Sequence, residues 1–251
     1  MKKSMLKPQE DISLIKLLGL IFIPTSLVTT AYIIVGLQQN KIPSILLFFL
    51  LASVILLPIE LAVVLHASKI KYGSYSLKSA FANHKHLSWY KILIYGSLLF
   101  GFAGIMSLTV DPLEKMLTQS LVDRFFHIVP IYFKWDNLES LKQYPENILL
   151  ITWVGYFALN VIIGPIVEEL FFRGYLTSKI SRFGKWSPFI ITVLFSLYHF
   201  WLPFNNLFRI AVFLPAAYFA WKKKNIYISI VFHCLCNLFS TISFIAAVYA
   251  V

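Results

Sequence analysis

The chain has 251 residues, of which 59% are hydrophobic, 17% aromatic and only 13% charged. Soluble domains carry about 25% charged residues, so this composition excludes a disordered chain and argues against a water-soluble globule. In a soluble protein, the net charge of +11 would suggest nucleic-acid binding. Here the basic residues cluster between apolar runs, which predicts loops beside anionic lipid and no nucleic-acid partner.

Seven apolar runs are candidates for membrane-spanning helices, which need about 20 mostly apolar residues. In chain order they are 14–37, 44–66, 91–110, 147–176, 188–201, 205–221 and 226–249. The runs 188–201 and 205–221 are the least secure, and a count of six or eight spans stays open. Because a lipid-exposed backbone must satisfy its own hydrogen bonds, the sequence predicts an all-α, polytopic transmembrane helical bundle of about seven spans.

The basic residues fall mainly on one side of a seven-span arrangement. Sixteen lie on the side of the N-terminus: Lys2, Lys3, Lys7, Lys16, Lys69, Lys71, Lys78, Lys85, Lys91, Arg173, Lys179, Arg182, Lys185, Lys222, Lys223 and Lys224. Five lie on the other side: Lys41, Lys115, Arg124, Lys134 and Lys142. The positive-inside rule therefore predicts a multi-pass protein of the cell membrane with a cytoplasmic N-terminus and an outside C-terminus.

The segment 111–146, between the third and fourth predicted spans, carries both charged and aromatic residues. Apolar residues recur in it at helical spacing, which predicts an outer amphipathic loop that lies partly on the membrane interface. A plain connector and a lid over a substrate both fit this pattern. The predicted division is an N-terminal membrane region, 1–146, with three spans and this loop, and a catalytic helical core, 147–251.

Ionisable groups inside a membrane span are costly and are functional candidates by default. The polar residues within the predicted spans are Glu60, Glu168, Glu169, Arg173, His199, Arg209, His233 and Asn237. Glu60 is interpreted as structural, and Arg209 lies near enough to the outer end of its span to reach the surface. The remaining six residues lie on three predicted helices. At a rise of about 1.5 Å per residue these helices bring the six residues to a similar depth in the membrane, so we expect them to converge.

Local spacing supports this convergence. Glu168 and Glu169 follow Gly164-Pro165, a pair that can bend or open a helix. Arg173 lies four residues after Glu169, so the two can pair along one helix face. His233 and Asn237 are also four residues apart and share a face of the last helix.

Carboxylates, imidazoles and an amide in one place can hydrolyse a peptide bond in two ways. A carboxylate and a histidine can hold a water and remove its proton, while a second histidine and an asparagine amide donate to the oxyanion. Alternatively, Glu168, His199 and His233 supply three ligands to Zn²⁺ or another divalent metal and leave one position open. The sequence contains neither H-E-x-x-H nor G-x-S-x-G, the motifs of zincins and of serine hydrolases.

Three motifs in succession resemble those of the CAAX protease and bacteriocin-processing (CPBP) family of intramembrane proteases. Residues 168–173 match E-E-x-x-x-R, residues 195–199 match F-x-x-x-H and residues 233–237 match H-x-x-x-N/D. The resemblance covers roughly residues 147–245, and the first 140 residues carry no motif of this family. The roles that it implies are water activation by Glu168 and His199, oxyanion stabilisation by His233 and Asn237, and bracing of the site by Glu169 and Arg173.

The resemblance implies an intramembrane endopeptidase that acts on a peptide or a prenylated protein in the bilayer. Eukaryotic members trim prenylated CAAX proteins, and bacterial members are linked to bacteriocin processing, self-immunity and pheromone maturation. A glutamate-dependent mechanism without a cofactor is expected, and the metallopeptidase with Glu168, His199 and His233 as ligands is its alternative. A non-proteolytic scaffold or bacteriocin-immunity protein is the alternative function. A transporter is a third, although no internal repeat occurs.

Overall fold

The structure is a computed structural model that describes residues 11–135 and 137–250, and in these ranges all regular structure is helical. Its eight helices are α1 Leu14–Gln38, α2 Ser44–Tyr72, α3 Trp89–Ile128, α4 Leu138–Lys142, α5 Glu146–Lys179, α6 Ser187–Leu197, α7 Asn206–Lys223 and α8 Tyr227–Ala250. The predicted polytopic helical bundle is therefore confirmed. Three of the basic residues counted for the predicted orientation lie outside the described residues: Lys2, Lys3 and Lys7.

Helices α1, α2, α3, α5 and α8 are long and apolar enough to cross a membrane, by length and composition. They correspond to five of the seven predicted spans. The other two, α6 and α7, are helical but have only 11 and 18 residues. Large apolar side chains cover the outside of the bundle, among them Ile15 (85% exposed) and Leu108 (80% exposed). Such an apolar surface fits a lipid environment, and the chain is a multi-pass membrane protein.

Helix α3 is longer than the sequence predicts. The predicted span ends at residue 110, whereas α3 continues through Pro112 to Ile128 and takes in the first half of the predicted amphipathic loop. That stretch is helical, as its spacing indicates, but it is not a separate element. The buried Glu114 joins this extension to α7, because its carboxylate accepts hydrogen bonds from the backbone N–H groups of Leu207 and Phe208 (2.9 and 2.6 Å). Those amides have no partner within their own helix, so Glu114 caps α7.

Helix α5 widens into two π-helical stretches, Phe157–Ile163 and Glu169–Leu176. Pro165 has no N–H, and its ring crowds the carbonyl four residues earlier, so a regular α-helix cannot continue through it. The N–H of Gly164 instead donates to the carbonyl of Leu159, at the five-residue spacing of a π-helix. The predicted opening at Gly164-Pro165 is therefore a π-helical turn, and it lies one turn before Glu168.

Replacement of Gly164 by alanine should destabilise the protein by about 1–3 kcal/mol, because the new Cβ would lie 2.6 Å from the Leu159 carbonyl oxygen. Gly104 in α3 is the matched control, since no atom lies within 4 Å of a Cβ placed there. Alanine at residue 104 should leave stability unchanged or raise it by about 0.5–1 kcal/mol. Thermal unfolding in detergent micelles measures both. Equal unfolding temperatures for the two variants would contradict this account of the π-helical turn.

Residues from both ends of the chain contribute to one hydrophobic cluster. It contains Leu17 and Ile21 of α1, Leu56 of α2, Phe171 of α5 and Phe232 of α8, among others. The helices α5, α6 and α8, which carry the three sequence motifs, therefore share one core with α1 and α2, and α5 packs directly against α2. The predicted division of the chain at residue 146 stays a prediction.

Candidate active site

A cavity of about 240 Å³ inside the bundle brings predicted site residues from three helical regions together. Glu168 of α5, His199 after α6, and His233 and Asn237 of α8 all line it. Glu169 and Arg173 are buried outside its lining: Glu169 contacts the lining residue His233, and Arg173 contacts Glu169. The structure thus brings all six residues close together, as expected.

His233 lies between the two adjacent glutamates. Its Nδ1 atom is 3.0 Å from Glu169 Oε1, and its Nε2 atom is 3.7 Å from Glu168 Oε2. An ionised carboxylate can only accept a hydrogen bond, so Nδ1 carries a proton and donates it to Glu169. This contact fixes the plane of the ring and turns Nε2 towards the cavity.

Arg173 balances the charge of Glu169, as the four-residue spacing predicts. Its Nη1 atom lies 3.3 Å from Glu169 Oε1, and both side chains are almost fully buried. The guanidinium also lies over the Phe195 ring, 4.0 Å from its centroid, and near Phe213 at 5.4 Å. A desolvated cation over aromatic rings is favourable, so the first position of the F-x-x-x-H motif supports the arginine of the E-E-x-x-x-R motif.

His199 lies just beyond the last residue of α6, where the predicted span 188–201 ends early at Leu197. Its Nδ1 atom is 2.8 Å from the carbonyl oxygen of Phe195. Because a carbonyl only accepts, Nδ1 carries the proton in the neutral ring, and Nε2 keeps a lone pair. The rings of Tyr198 and Trp201 pack against the imidazole, with centroids 4.9 and 5.1 Å away. His199 is therefore placed to take a proton from a group in the cavity.

The Glu168 carboxylate has a different partner on each oxygen. Oε1 accepts a hydrogen bond of 3.2 Å from the Tyr198 hydroxyl, while Oε2 faces His233. Tyr198 is fully buried, and the hydroxyl of Thr25 in α1 donates to its backbone carbonyl. Tyr198 is not among the predicted site residues, although it is the residue directly before His199.

Asn237 donates a hydrogen bond of 2.8 Å from Nδ2 to the backbone carbonyl of Asn160. Asn160 lies in the first π-helical stretch of α5, where the irregular backbone frees carbonyl oxygens from the helix. The Asn160 side chain in turn donates to Thr241 of α8. One amide proton of Asn237 is thus engaged in holding the side chain, and the second is available to the cavity.

Two further charged residues lie near the site: Arg209 differs from its interpretation, and the structural interpretation of Glu60 stays a prediction. Arg209 does not extend to the outer surface: it lines the cavity, and its Nη1 donates to the Ser196 carbonyl and to Asn206 Oδ1 (3.0 and 3.3 Å). Glu60 of α2 is fully buried and is an electrostatic neighbour of Glu168. Both are ionisable residues within predicted spans, which is the signal that could have included them in the site.

The three residues predicted as alternative metal ligands, Glu168, His199 and His233, all line the cavity. Across the described ranges, no three or more His, Cys, Asp or Glu side chains are placed so that they could hold one ion. The metal alternative stays a prediction.

A scan against protein-family models matches residues 150–239 to the family described as type II CAAX prenyl endopeptidase Rce1-like. This range contains all three motifs. Searches of the curated proteins and of the solved structures found no match. The match to the Rce1-like family over residues 150–239 confirms the resemblance that the three motifs predict.

Proposed function

We propose that the protein is an intramembrane endopeptidase of the CAAX-protease type, in which protein side chains activate water. The observation that carries this proposal is the enclosure of Glu168, His199 and His233 in one cavity within an apolar bundle. The Rce1-like match over the same residues supports it. Charged and polar groups are expensive at this depth, so packing alone does not account for the cluster.

Glu168 and His199 are the proposed water-activating pair. A water in the cavity would donate one hydrogen bond to Glu168 Oε2 and one to His199 Nε2, and it would attack the peptide carbonyl carbon as its proton is removed. Tyr198 holds the other oxygen of Glu168, so the carboxylate has a fixed orientation when the water binds. The removed proton then passes to the amine that leaves when the tetrahedral intermediate collapses.

His233 and Asn237 are the proposed donors to the oxyanion. In its doubly protonated form His233 donates from Nε2 into the cavity, while Glu169 accepts from Nδ1 and Arg173 balances Glu169. The free amide proton of Asn237 can donate to the same oxygen. Each such donor contributes about 10²–10³-fold to the rate of acyl transfer in enzymes of other classes.

The surroundings of the cavity support an apolar substrate. A neighbouring cavity of about 500 Å³ shares Trp135, Tyr156 and Trp201 with the first and is lined largely by apolar and aromatic side chains. Such a space can take an apolar peptide segment or the prenyl chain of a lipidated protein.

Cleavage of a quenched fluorescent peptide by the protein in proteoliposomes tests this proposal. We expect cleavage of a farnesylated peptide with a CAAX terminus, and its loss with Glu168→Gln. Glu139→Gln is the matched control, since Glu139 is 70% exposed on α4, and it should cleave normally. The unprenylated peptide reports whether the lipid is required. A Glu168→Gln protein that cleaves like wild type would refute the proposal, and chelator-sensitive cleavage restored by Zn²⁺ would support the metal alternative.

We also propose that the N-terminus is cytoplasmic and the C-terminus outside. Arg173 is buried, so it no longer counts among the loop charges. Most of the remaining basic residues still lie at the end of the bundle that carries residues 73–88 and 224, which by the positive-inside rule favours a cytoplasmic location for this end. Two variants test the orientation. Both carry Cys234→Ala and Cys236→Ala, and each has one new cysteine, Ser74→Cys or Ser140→Cys. A membrane-impermeant maleimide added to intact cells should label only the cysteine at residue 140. Labelling of residue 74 alone would reverse the orientation.

A further inference from the structure

Glu60 is a buried carboxyl group without a hydrogen-bond partner. It lies in α2, its side chain is fully buried, and neither Oε1 nor Oε2 makes a hydrogen bond within the described part of the chain. A buried polar group of this kind costs free energy and contributes nothing to packing that leucine would not. Its presence in an apolar span therefore calls for a reason other than the stability of the bundle.

The groups around Glu60 belong to the candidate active site. Both the Tyr198 hydroxyl and the Glu168 carboxylate are its electrostatic neighbours. Tyr198 is close enough to Glu60 for a weak hydrogen-bonding interaction, although neither Glu60 oxygen has a partner of full hydrogen-bond geometry among the described residues. Glu60, Tyr198 and Glu168 thus form a row, and Glu60 comes from a helix outside the range of the family match.

The protons available to these three side chains decide which of them donates and which accepts in each hydrogen bond. The Tyr198 hydroxyl has one proton and donates it to Glu168 Oε1. Its oxygen can then only accept from a further partner, and a protonated Glu60 is a donor that can supply such a bond. A neutral Glu60 is also the form that a buried carboxyl without a cation favours.

We propose that Glu60 is a positioning residue of the active site, which holds the Tyr198 hydroxyl so that Tyr198 orients the Glu168 carboxylate towards the water. This inference rests on the proposed function. It gives the N-terminal region, which carries no motif of the family, an indirect part in the chemistry of the site, through Tyr198.

Four variants test the proposal in the farnesylated-peptide assay. Glu60→Gln keeps a donor at the same place and should cleave at a rate close to that of wild type. Glu60→Leu removes the donor and should lower kcat by about tenfold with little change in KM. The reason is that Tyr198 is then no longer held in place for its hydrogen bond to the charged Glu168 carboxylate. Tyr198→Phe should lower kcat by at least as much, and the Glu60→Leu/Tyr198→Phe double variant should be no worse than Tyr198→Phe alone.

Thermal unfolding separates positioning from a structural role. The unfolding temperature of Glu60→Leu should equal or exceed that of wild type, since a buried carboxyl is replaced by an apolar group of similar size. A lower unfolding temperature combined with unchanged kcat would overturn the proposal in favour of a structural Glu60. Loss of cleavage in Glu168→Gln together with normal cleavage in Glu60→Leu and Tyr198→Phe would overturn this inference and leave the proposed function intact.

Infrared spectroscopy tests the row without any substrate. A protonated carboxyl has its own C=O stretching band, and we expect one such band to disappear in Glu60→Gln and to shift in Tyr198→Phe. A band that is absent from wild type, or that Tyr198→Phe leaves unchanged, would contradict the proposed hydrogen bond even if the peptide proves not to be a substrate.

Discussion

Replacement of His199 by asparagine is expected to lower kcat by about 10²–10⁴-fold while the protein stays folded, because this is the range that a general base contributes. The Nδ2 group of asparagine lies where Nδ1 of the imidazole lies, so it can still donate to the Phe195 carbonyl. What the variant loses is Nε2, the atom that faces the cavity. Steady-state cleavage of the farnesylated peptide, with the unfolding temperature measured on the same samples, checks both parts.

His127 is a suitable control for this substitution, since it lies in the last turn of α3 and lines neither of the two cavities. His127→Asn should leave kcat unchanged. A His199→Asn protein with wild-type kcat would show that proton removal does not depend on this imidazole, and Glu168 would then be the sole base.

Replacement of Arg173 by methionine is expected to destabilise the protein by about 3–5 kcal/mol. The substitution leaves Glu169 as a buried charge that has lost its arginine and keeps His233 as a hydrogen-bond partner. Breaking a buried ion pair from one side costs more than removing the pair, because the remaining charge keeps its desolvation penalty. Unfolding in micelles, monitored by circular dichroism, measures the loss.

The double variant Arg173→Met/Glu169→Gln distinguishes this cause from lost packing against Phe195. It removes both charges and should therefore be more stable than Arg173→Met alone, although Arg173 no longer covers the Phe195 ring. If the double variant is as unstable as the single one or more so, the cation–π contact and packing account for the role of Arg173, and the ion pair does not.

Much of the site could be predicted from the sequence, because the cost of burying ionisable groups in apolar spans singles out few residues. Helical spacing paired Glu169 with Arg173 and aligned His233 with Asn237, and both relations hold in the structure. Gly164-Pro165 signalled the break in α5 for a local covalent reason, the missing N–H of proline. Each of these signals acts within one helix.

The features that the sequence analysis missed depend on contacts between helices. Tyr198 is an ordinary aromatic residue in the sequence, and its hydroxyl acquires a role only because α5 places Glu168 beside it. Glu114 falls within a stretch that the hydrophobic pattern alone assigns to the interface. The extension of α3 brings it to the unpaired amides of α7. Periodicity within one segment cannot reveal partners that come from another.

Proteolysis that requires Glu168 is the central expectation, and a comparison of peptide termini in living cells tests it. Cells carrying the wild-type protein, Glu168→Gln or Glu139→Gln would be compared by mass spectrometry of new N- and C-termini in membrane and secreted fractions. We predict a set of termini that is present with wild type and Glu139→Gln and absent with Glu168→Gln, and these termini would name the substrate. Identical termini in all three strains, with the three proteins equally expressed and inserted, would contradict the account and favour a scaffold or immunity function.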